Sequence, residues 1–230
     1  MSAPYYSDDL VTLYHGDCRE VTEWLAADVL VTDPPYGRGW TSGQGMTNSD
    51  GHGRGSKSHG GIAGDRDTTT RDAALKMWLD RPAVIFGDLL IAPPEDARQT
   101  LIYAKPIDAG VKGAHGGWRR DAEAIYLVGP WPVAVGGSTS VLRTAALVAG
   151  PRGLSVRYGH PHAKPLDVLT QLLDRCPRGV VADPFAGGGS TLVAAAHLGR
   201  SAVGVEVHEP YCELIAKRLD QGVLDFGGAA

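Results

Sequence analysis

Asp33-Pro34-Pro35-Tyr36 sets a carboxylate and an aromatic ring three positions apart on a stiffened stretch of chain. Each proline fixes φ and removes a backbone donor. The apolar run before them, Val29–Thr32, reads as a short buried strand that must stop there. The carboxylate and ring are then presented at the carboxyl end of a strand, the edge where ligands sit in open α/β sheets. The carboxylate can accept hydrogen bonds from an amino group, and the ring can stack on a planar base. Taken alone, the tetrapeptide also reads as a strand end with an acidic cap, a Pro-Pro turn and a packing tyrosine.

A second group runs from Asp183 to Thr191: Asp183, Pro184, Phe185, Ala186, three glycines including Gly187 and Gly189, then Ser190 and Thr191. It reads as a strand-to-helix turn. The glycines allow close backbone approach by a ligand, and Ser190 or Thr191 can cap the helix. A phosphate-binding loop needs Gly-Lys-Ser/Thr, and no lysine is present; the dinucleotide pattern needs a glycine where Leu192 stands. What remains suits a nucleoside without a pyrophosphate. Glu206, ending the strand predicted at Ala202–Val207, can hydrogen-bond both ribose hydroxyls. His160 and Lys164, just ahead of a helix starting at Pro165, place donors beside the glycine turn, suited to a carboxylate; a structural cap accounts for them as well.

The elements that hold these groups alternate. Val11–Tyr14 predicts a strand, Arg19–Ala26 a helix with Val21, Trp24 and Leu25 at helical spacing, and Val29–Thr32 a strand. That alternation marks a parallel α/β sheet. Arg71–Leu79 predicts a helix, Ala83–Phe86 a buried strand, and Gln99–Ala104 and Ala124–Val128 later strands of the sheet. Residues 129–159 read only as loop with short strand pieces. Leu166, Leu169, Leu172, Leu173 and Cys176 form an amphipathic helical stripe, with Pro165 suited to the first turn. Val180–Asp183, Ser190–Leu198, Ala202–Val207 and Pro210–Leu219 continue as strand, helix, strand and helix.

A chain of 230 residues suits one domain, 1–230, with a proper core. Hydrophobic content of 43% and charged content of 21% are those of a globular protein, and no apolar run approaches membrane-spanning length. Three widely spaced cysteines offer neither a disulfide framework nor zinc spacing, which points to a reducing cytoplasm. Net charge is -4, yet residues 98–164 carry nine Lys/Arg against three Asp/Glu, a surplus of +6 and a footprint suited to phosphates. Solvated surface loops account for the same charges. Residues 37–64 are rich in Gly and Ser, with little apolar surface to offset ordering, which predicts a mobile loop. Its Arg38, Trp40, Arg54 and Lys57 suit a polyanion, and His52 and His59 read as solvated residues, so no metal is expected.

In their order, Asp33–Tyr36, His160–Pro165, Asp183–Thr191 and Gly204–Glu206 with Tyr211 resemble the amino-methyltransferases of DNA. These use S-adenosylmethionine to modify N6 of adenine or N4 of cytosine. With the tetrapeptide ahead of the glycine turn, the chain resembles their β group, a circular permutation. The resemblance covers about 11–219. It implies a Rossmann-like α/β methyltransferase fold, a mostly parallel sheet with an antiparallel strand. It implies that Asp33 and Tyr36 hold the target base, with Pro34 lending a carbonyl and Pro35 stiffening the turn. The cofactor would lie along Asp183, Pro184, Phe185, Ala186, Gly187 and Gly189, continuing to Ser190 and Thr191. Glu206 would take its ribose with Val207 beside it, and His160, Lys164 and Pro165 would lie at its methionine end. Asp17 matches the family's N-terminal acid, which meets the cofactor's adenine, and Cys18 would pack nearby; Asp33 also borders the cofactor.

An exocyclic amine is a weak nucleophile because its lone pair is delocalised into the ring. Asp33 and the Pro34 carbonyl could accept its two N–H bonds and favour a pyramidal nitrogen. No cysteine nucleophile is then needed. Asp at the first motif position resembles the adenine enzymes, so transfer to N6 of adenine in double-stranded DNA is the expectation, with the base flipped out and stacked on Tyr36. N4 of cytosine is the alternative, and a non-catalytic nucleic-acid-binding relative a further one. Arg38, Arg54, Lys57, Arg119 and Arg120 are the expected DNA contacts. Only about 105–155 is left for target recognition, small for the family, and a homodimer stays open.

Overall fold

The structure is a computed structural model that describes residues 2–39, 63–109, 115–133, 137–147, 153–160 and 162–221. Along the chain come β1 (Tyr6–Ser7), β2 (Val11–His15), a 3-10 turn (Glu23–Ala26), β3 (Val29–Thr32), α1 (Thr69–Trp78) and β4 (Ala83–Gly87). Then follow β5 (Ala97–Ala104), β6 (Ala122–Val128), β7 (Val141–Arg143), α2 (Leu154–Arg157) and α3 (Leu166–Leu173). The chain continues with β8 (Val181–Asp183), α4 (Ser190–His197), β9 (Ala202–Glu206) and α5 (Glu209–Gln221).

The strands form one sheet in the order β1-β2-β9-β8-β3-β4-β6-β5-β7. The pairs β2–β9, β9–β8, β8–β3, β3–β4 and β5–β7 are parallel. β6 runs against both β4 and β5, and β1 against β2. β3 and β4 are buried along their whole length, as continuous apolar runs should be when helices cover both sheet faces. Val31, Val84, Phe86 and Ile125 pack with α3, α4 and α5 on one face. Leu30, Ile85, Ala124 and Tyr126 pack with Trp24 and Trp78 on the other, where the two indoles stack at 5.8 Å and 13°.

Strand order reverses between β8 and β3. The chain progresses outward from β8 through β9, and from β3 through β4 in the opposite direction. Such a switch point opens a crevice at the strands' carboxyl ends. The register pairs Leu30 with Ala182, so the turn after Asp183 and the tetrapeptide after Thr32 leave the sheet side by side. The Thr32 hydroxyl donates to Asp183 Oδ1 at 2.7 Å and ties the two turns together.

Three expectations need correction. The helix at Arg19–Ala26 is a 3-10 turn over Glu23–Ala26 only. Asp17 takes the preceding backbone: its side chain accepts the Arg19 N–H, and its carbonyl accepts those of Glu20 and Val21. The inward spacing survives, since Val21 and Trp24 are buried. Neither Ser190 nor Thr191 caps α4. Gly189 is the N-cap with φ +74°, without a side-chain cap, and an added Cβ would sit 2.8 Å from Ile215. Residues 129–159 hold β7, a short strand piece as expected, and the short helix α2, which was not expected. Within 105–155, β6 is an interior strand of the sheet. Most of the Gly-rich loop, 40–62, lies outside the described residues.

Candidate active site

The crevice is a cleft of about 1100 Å³. That is roughly the upper end for a single small-molecule pocket, enough for two planar ligands. The tetrapeptide, the glycine turn and the end of β9 share its wall.

Asp33 is held from two sides. The Tyr36 hydroxyl donates to its Oδ1 at 2.6 Å, and the Lys164 ammonium meets its Oδ2 at 2.6 Å. Lys164 also donates to the Tyr36 hydroxyl at 3.1 Å. Burial, with Asp33 and Glu123 nearby, pushes the Tyr36 phenol well above its ordinary range, so it stays a donor. Gly37 turns the chain with φ +78°, and Asp65 Oδ1 accepts the N–H groups of Gly37 and Arg38. The tetrapeptide is thus fixed at both ends, by β3 and by Asp65. Lys164, expected beside the glycine turn, is directed at the tetrapeptide instead. Burial opposes its charge, but Asp33 and Glu123 raise its pKa overall.

On the other side, Glu206 is 6% exposed. Its Oε2 accepts the Gly187 N–H at 2.7 Å and its Oε1 the His208 N–H at 2.8 Å. A carboxylate offers about four acceptor sites, so capacity for a diol remains. His160 stands edge-on to Tyr211 at 4.6 Å and packs against the turn, where a Cβ on Gly188 would lie 2.8 Å from its own Cβ. Burial, with His162, Lys164 and Arg218 nearby, drives its imidazole down to about 3, so it is neutral. Asp17 sits on the wall with its carboxylate lowered by the Arg19 guanidinium. Ser190 Oγ is buried on the same wall without a hydrogen-bond partner among the described residues. A ring in Phe185, carboxylates in Glu206 and Asp17, and an orphaned hydroxyl fit a nucleoside carrying a polar tail. Pro184, Ala186 and Thr191 line this side, as do Cys18 and Val207, whereas Pro165 caps α3 and Gly189 faces Ile215.

Asp183 is 2% exposed and accepts from Thr32, Thr191 and the Phe185 N–H. Burial outweighs these bonds and pushes its carboxyl up to about 6. Because the folded-state value is raised, ionising Asp183 opposes folding. Its contribution is present below the unfolded value of about 4 and is lost as pH rises through the folded one. Carboxyl 13C NMR should show one aspartate titrating near pH 6 and its absence in Asp183→Asn. If every aspartate titrates at ordinary values, the carboxyl is solvated.

The other site residues are partly brought together. Arg38 forms a two-pronged pair with Asp88 on the cleft lining, at 2.5 and 2.7 Å. Arg119 is turned inward onto the Ile107 and Ala109 carbonyls and Asp121. Arg120 lines the cleft and has no ion pair among the described residues. Arg54 and Lys57 lie outside the described residues. Burial pushes the thiols of Cys18, Cys176 and Cys212 up to about 12, unsuited to nucleophiles. No group of three His, Cys, Asp or Glu side chains suited to a metal occurs among the described residues. No described helix is long and apolar enough to cross a membrane.

Sequence reading missed Glu123, whose carboxylate meets Lys105 at 2.5 Å and Lys164 at 3.3 Å. It also missed Asp65 and Asp88. One available signal was alternation: Glu123 shares a strand face with Ile125, so an acid there points to the buried side.

A family model described as DNA methylase matches residues 144–218. The putative methylase YubD of Escherichia coli (strain K12) is 30% identical over 223 residues, spanning 89% of this chain and 88% of that relative. The type II methyltransferase M.ScaI of Streptomyces caespitosus is 34% identical over 85 residues, 36% of this chain and 28% of its own. Among solved structures, the M1.HpyAVI–SAM complex aligns with a TM-score of 0.61 at 18% identity, over 92% of this chain and 100% of that one. The PvuII DNA methyltransferase, cytosine-N4-specific, aligns at 0.58 and 13% identity, over 98% and 90%. The two structural matches share the fold, and the first relative shares sequence along nearly the whole of both chains. The chain belongs to the N6-adenine/N4-cytosine DNA methyltransferase family.

Proposed function

We propose that this protein transfers the methyl group of S-adenosylmethionine to N6 of adenine in double-stranded DNA, acting on a base turned out of the helix. The observation that carries the reading is the placement of Asp33 on the cleft wall, one hydrogen-bonded step through Thr32 and Asp183 from the glycine turn. The bound cofactor supplies an electrophilic methyl group on a sulfonium. The chain's residues do the rest by position and charge. Asp33, already fixed by Tyr36 and Lys164, keeps lone pairs free for one amine N–H. The Pro34 carbonyl takes the other. With both hydrogens engaged, the nitrogen lone pair leaves conjugation and charge developing on nitrogen is stabilised. Tyr36 offers its ring to the base, and Glu206 and Asp17 offer acceptors to the cofactor's ribose and adenine.

Aspartate at the head of the tetrapeptide favours adenine, by resemblance to the adenine enzymes. Incubation with unmethylated duplex and labelled cofactor, then nucleoside mass spectrometry, tests it. N6-methyladenine is expected. N4-methylcytosine would replace the reading, and neither product would point to a non-catalytic relative.

DNA binding should lose affinity linearly in log–log salt plots as counterions are released. Arg120→Ala should reduce that slope by about one. Arg119→Ala should leave the slope nearer wild type and lower the melting temperature, because Arg119 holds the 107–109 turn. Fluorescence anisotropy across salt concentrations reads the slopes; an unchanged slope for Arg120→Ala removes it from the phosphate contacts.

A further inference from the structure

We propose that Glu123 is a positioning residue for methyl transfer: it fixes the ammonium of Lys164 and thereby the orientation of the Asp33 carboxylate toward the substrate amine. This rests on the methyl-transfer reading above. Glu123 reaches the site because β6 runs against β4. A reversed strand starts where its parallel neighbours end, and Ala124 is in register with Gly87, the last residue of β4. Its neighbour Glu123 therefore lies at the carboxyl edge, on the same face as Ile125.

Lys164 is enclosed by acceptors and carboxylates. An ammonium has three N–H donors. Asp33 Oδ2 lies at 2.6 Å and the Tyr36 hydroxyl accepts at 3.1 Å, while Glu123 Oε2 is an ion-pair contact at 3.3 Å without a hydrogen bond. The aromatic rings of Phe86 and Tyr36 flank it at 5.1 and 5.5 Å. Lys105 closes the far side, pairing with Glu123 Oε1 at 2.5 Å. Two carboxylates and two ammoniums balance in charge while the side chains of Lys164, Glu123 and Asp33 are only 10%, 14% and 24% exposed. Burying such a cluster adds little net stability compared with apolar packing, so it is better explained by the geometry it imposes. With Glu123 neutral, the ammonium loses one of the two carboxylate charges that hold it, and is free to rotate or shift away from Asp33. A displacement of about 1 Å is enough to slow a positioned reaction by roughly 100-fold.

The titratable and charged groups facing Lys164 are Asp33, Tyr36, Glu123, Lys105, His160 and His162. Removing Glu123's charge takes away one of the two carboxylates that hold the proton, so Lys164 should lose it at lower pH. Two measurements on the full chain test the proposal with Glu123→Gln. Competitive labelling with acetic anhydride across pH, read on the Lys164 peptide by mass spectrometry without cofactor or DNA, should give a lower midpoint than wild type. Single-turnover methylation should slow by roughly 10–100-fold, with its alkaline limb moved to lower pH and cofactor affinity by calorimetry unchanged. Glu123→Asp keeps the charge, and should restore the labelling midpoint and part of the rate. A wild-type rate, an unmoved midpoint, or a rate loss matched by an equal loss of cofactor affinity would each overturn the role. If Glu123→Gln does not fold, the aspartate variant decides: a wild-type rate there, with the carboxylate drawn back from Lys164, overturns the role. If wild-type protein methylates no DNA, the methyl-transfer reading fails by itself, and the labelling midpoint still reports the Glu123–Lys164 link.

Discussion

Asp33→Ala should slow methyl transfer by about 10²–10³-fold or more while leaving S-adenosylmethionine affinity near wild type. Asp33 is the only carboxylate of the tetrapeptide, and the acceptors assigned to the cofactor sit on β8, β9 and the end of β2. The competing account makes Asp33 a structural cap. Its carboxylate makes no capping bond to the prolines, which have no N–H; its observed partners are Tyr36 and Lys164. Removing it does not strand Lys164, because Glu123 remains 3.3 Å away. The expected stability loss is therefore that of a partly compensated hydrogen bond, about 1–3 kcal/mol, rather than of a buried charge left alone. Asp33→Asn keeps the shape and separates charge from packing. The decisive assay is single turnover on adenine-containing duplex with mutants matched for cofactor affinity. A wild-type rate in Asp33→Ala would end the catalytic assignment, and a joint collapse of folding, cofactor binding and rate would favour the cap.

Tyr36 refines the same expectation. By sequence, Tyr36→Phe keeps the ring and most of the stacking, worth about 1–3 kcal/mol per base. The fold adds two hydroxyl bonds, to Asp33 and from Lys164. The phenylalanine variant therefore retains base affinity and loses part of the transfer rate.

What could be read from the chain is what neighbours in sequence decide. Asp33–Tyr36, the glycine turn and Glu206 each sit where a strand ends, and strand ends are marked locally by apolar runs, proline and glycine. Their convergence followed from alternation and a parallel sheet. Lys164 lines the same cleft as the glycine turn, but its ammonium meets Asp33 and Tyr36 with Glu123 at 3.3 Å, and Glu123 enters only if β6 is reversed. Nothing in the period-2 pattern of Ala122–Val128 states which way that strand runs. The arginines failed differently. Arg38 and Arg119 read as open positive charge, but each meets an aspartate, Asp88 or Asp121, through tertiary folding or a local turn. Composition counts charges and cannot say which are already paired. At Arg19–Ala26 the helical spacing of Val21 and Trp24 was real, yet a 3-10 turn buries the same residues once Asp17 has captured the first amides.

Glu206→Ala should weaken S-adenosylmethionine binding by about 1–3 kcal/mol, roughly 5–150-fold at 1.4 kcal/mol per decade, with little change in rate at saturating cofactor. Two effects combine. The ribose hydroxyls lose a charged acceptor, and the glycine turn loses the bond from Gly187 that holds its backbone against β9. The second effect exists without ligand and should appear as a lower melting temperature of the free protein. Glu206→Gln separates them poorly, because its amide nitrogen must face either the Gly187 or the His208 N–H, both of which need an acceptor. Glu206→Asp is the better probe: it keeps the charge and withdraws it by one methylene, so any shortfall in affinity reports distance. Calorimetric titration gives the affinities, and a saturating single-turnover rate gives the transfer step. Glu206 lies at the end of β9, two strands from the tetrapeptide on β3, so an affinity loss should not carry a comparable rate loss. Unchanged affinity in Glu206→Ala would remove Glu206 from the cofactor site and leave it a brace of the turn, while a rate loss persisting at saturation would mean that the turn also sets where the methyl group stands.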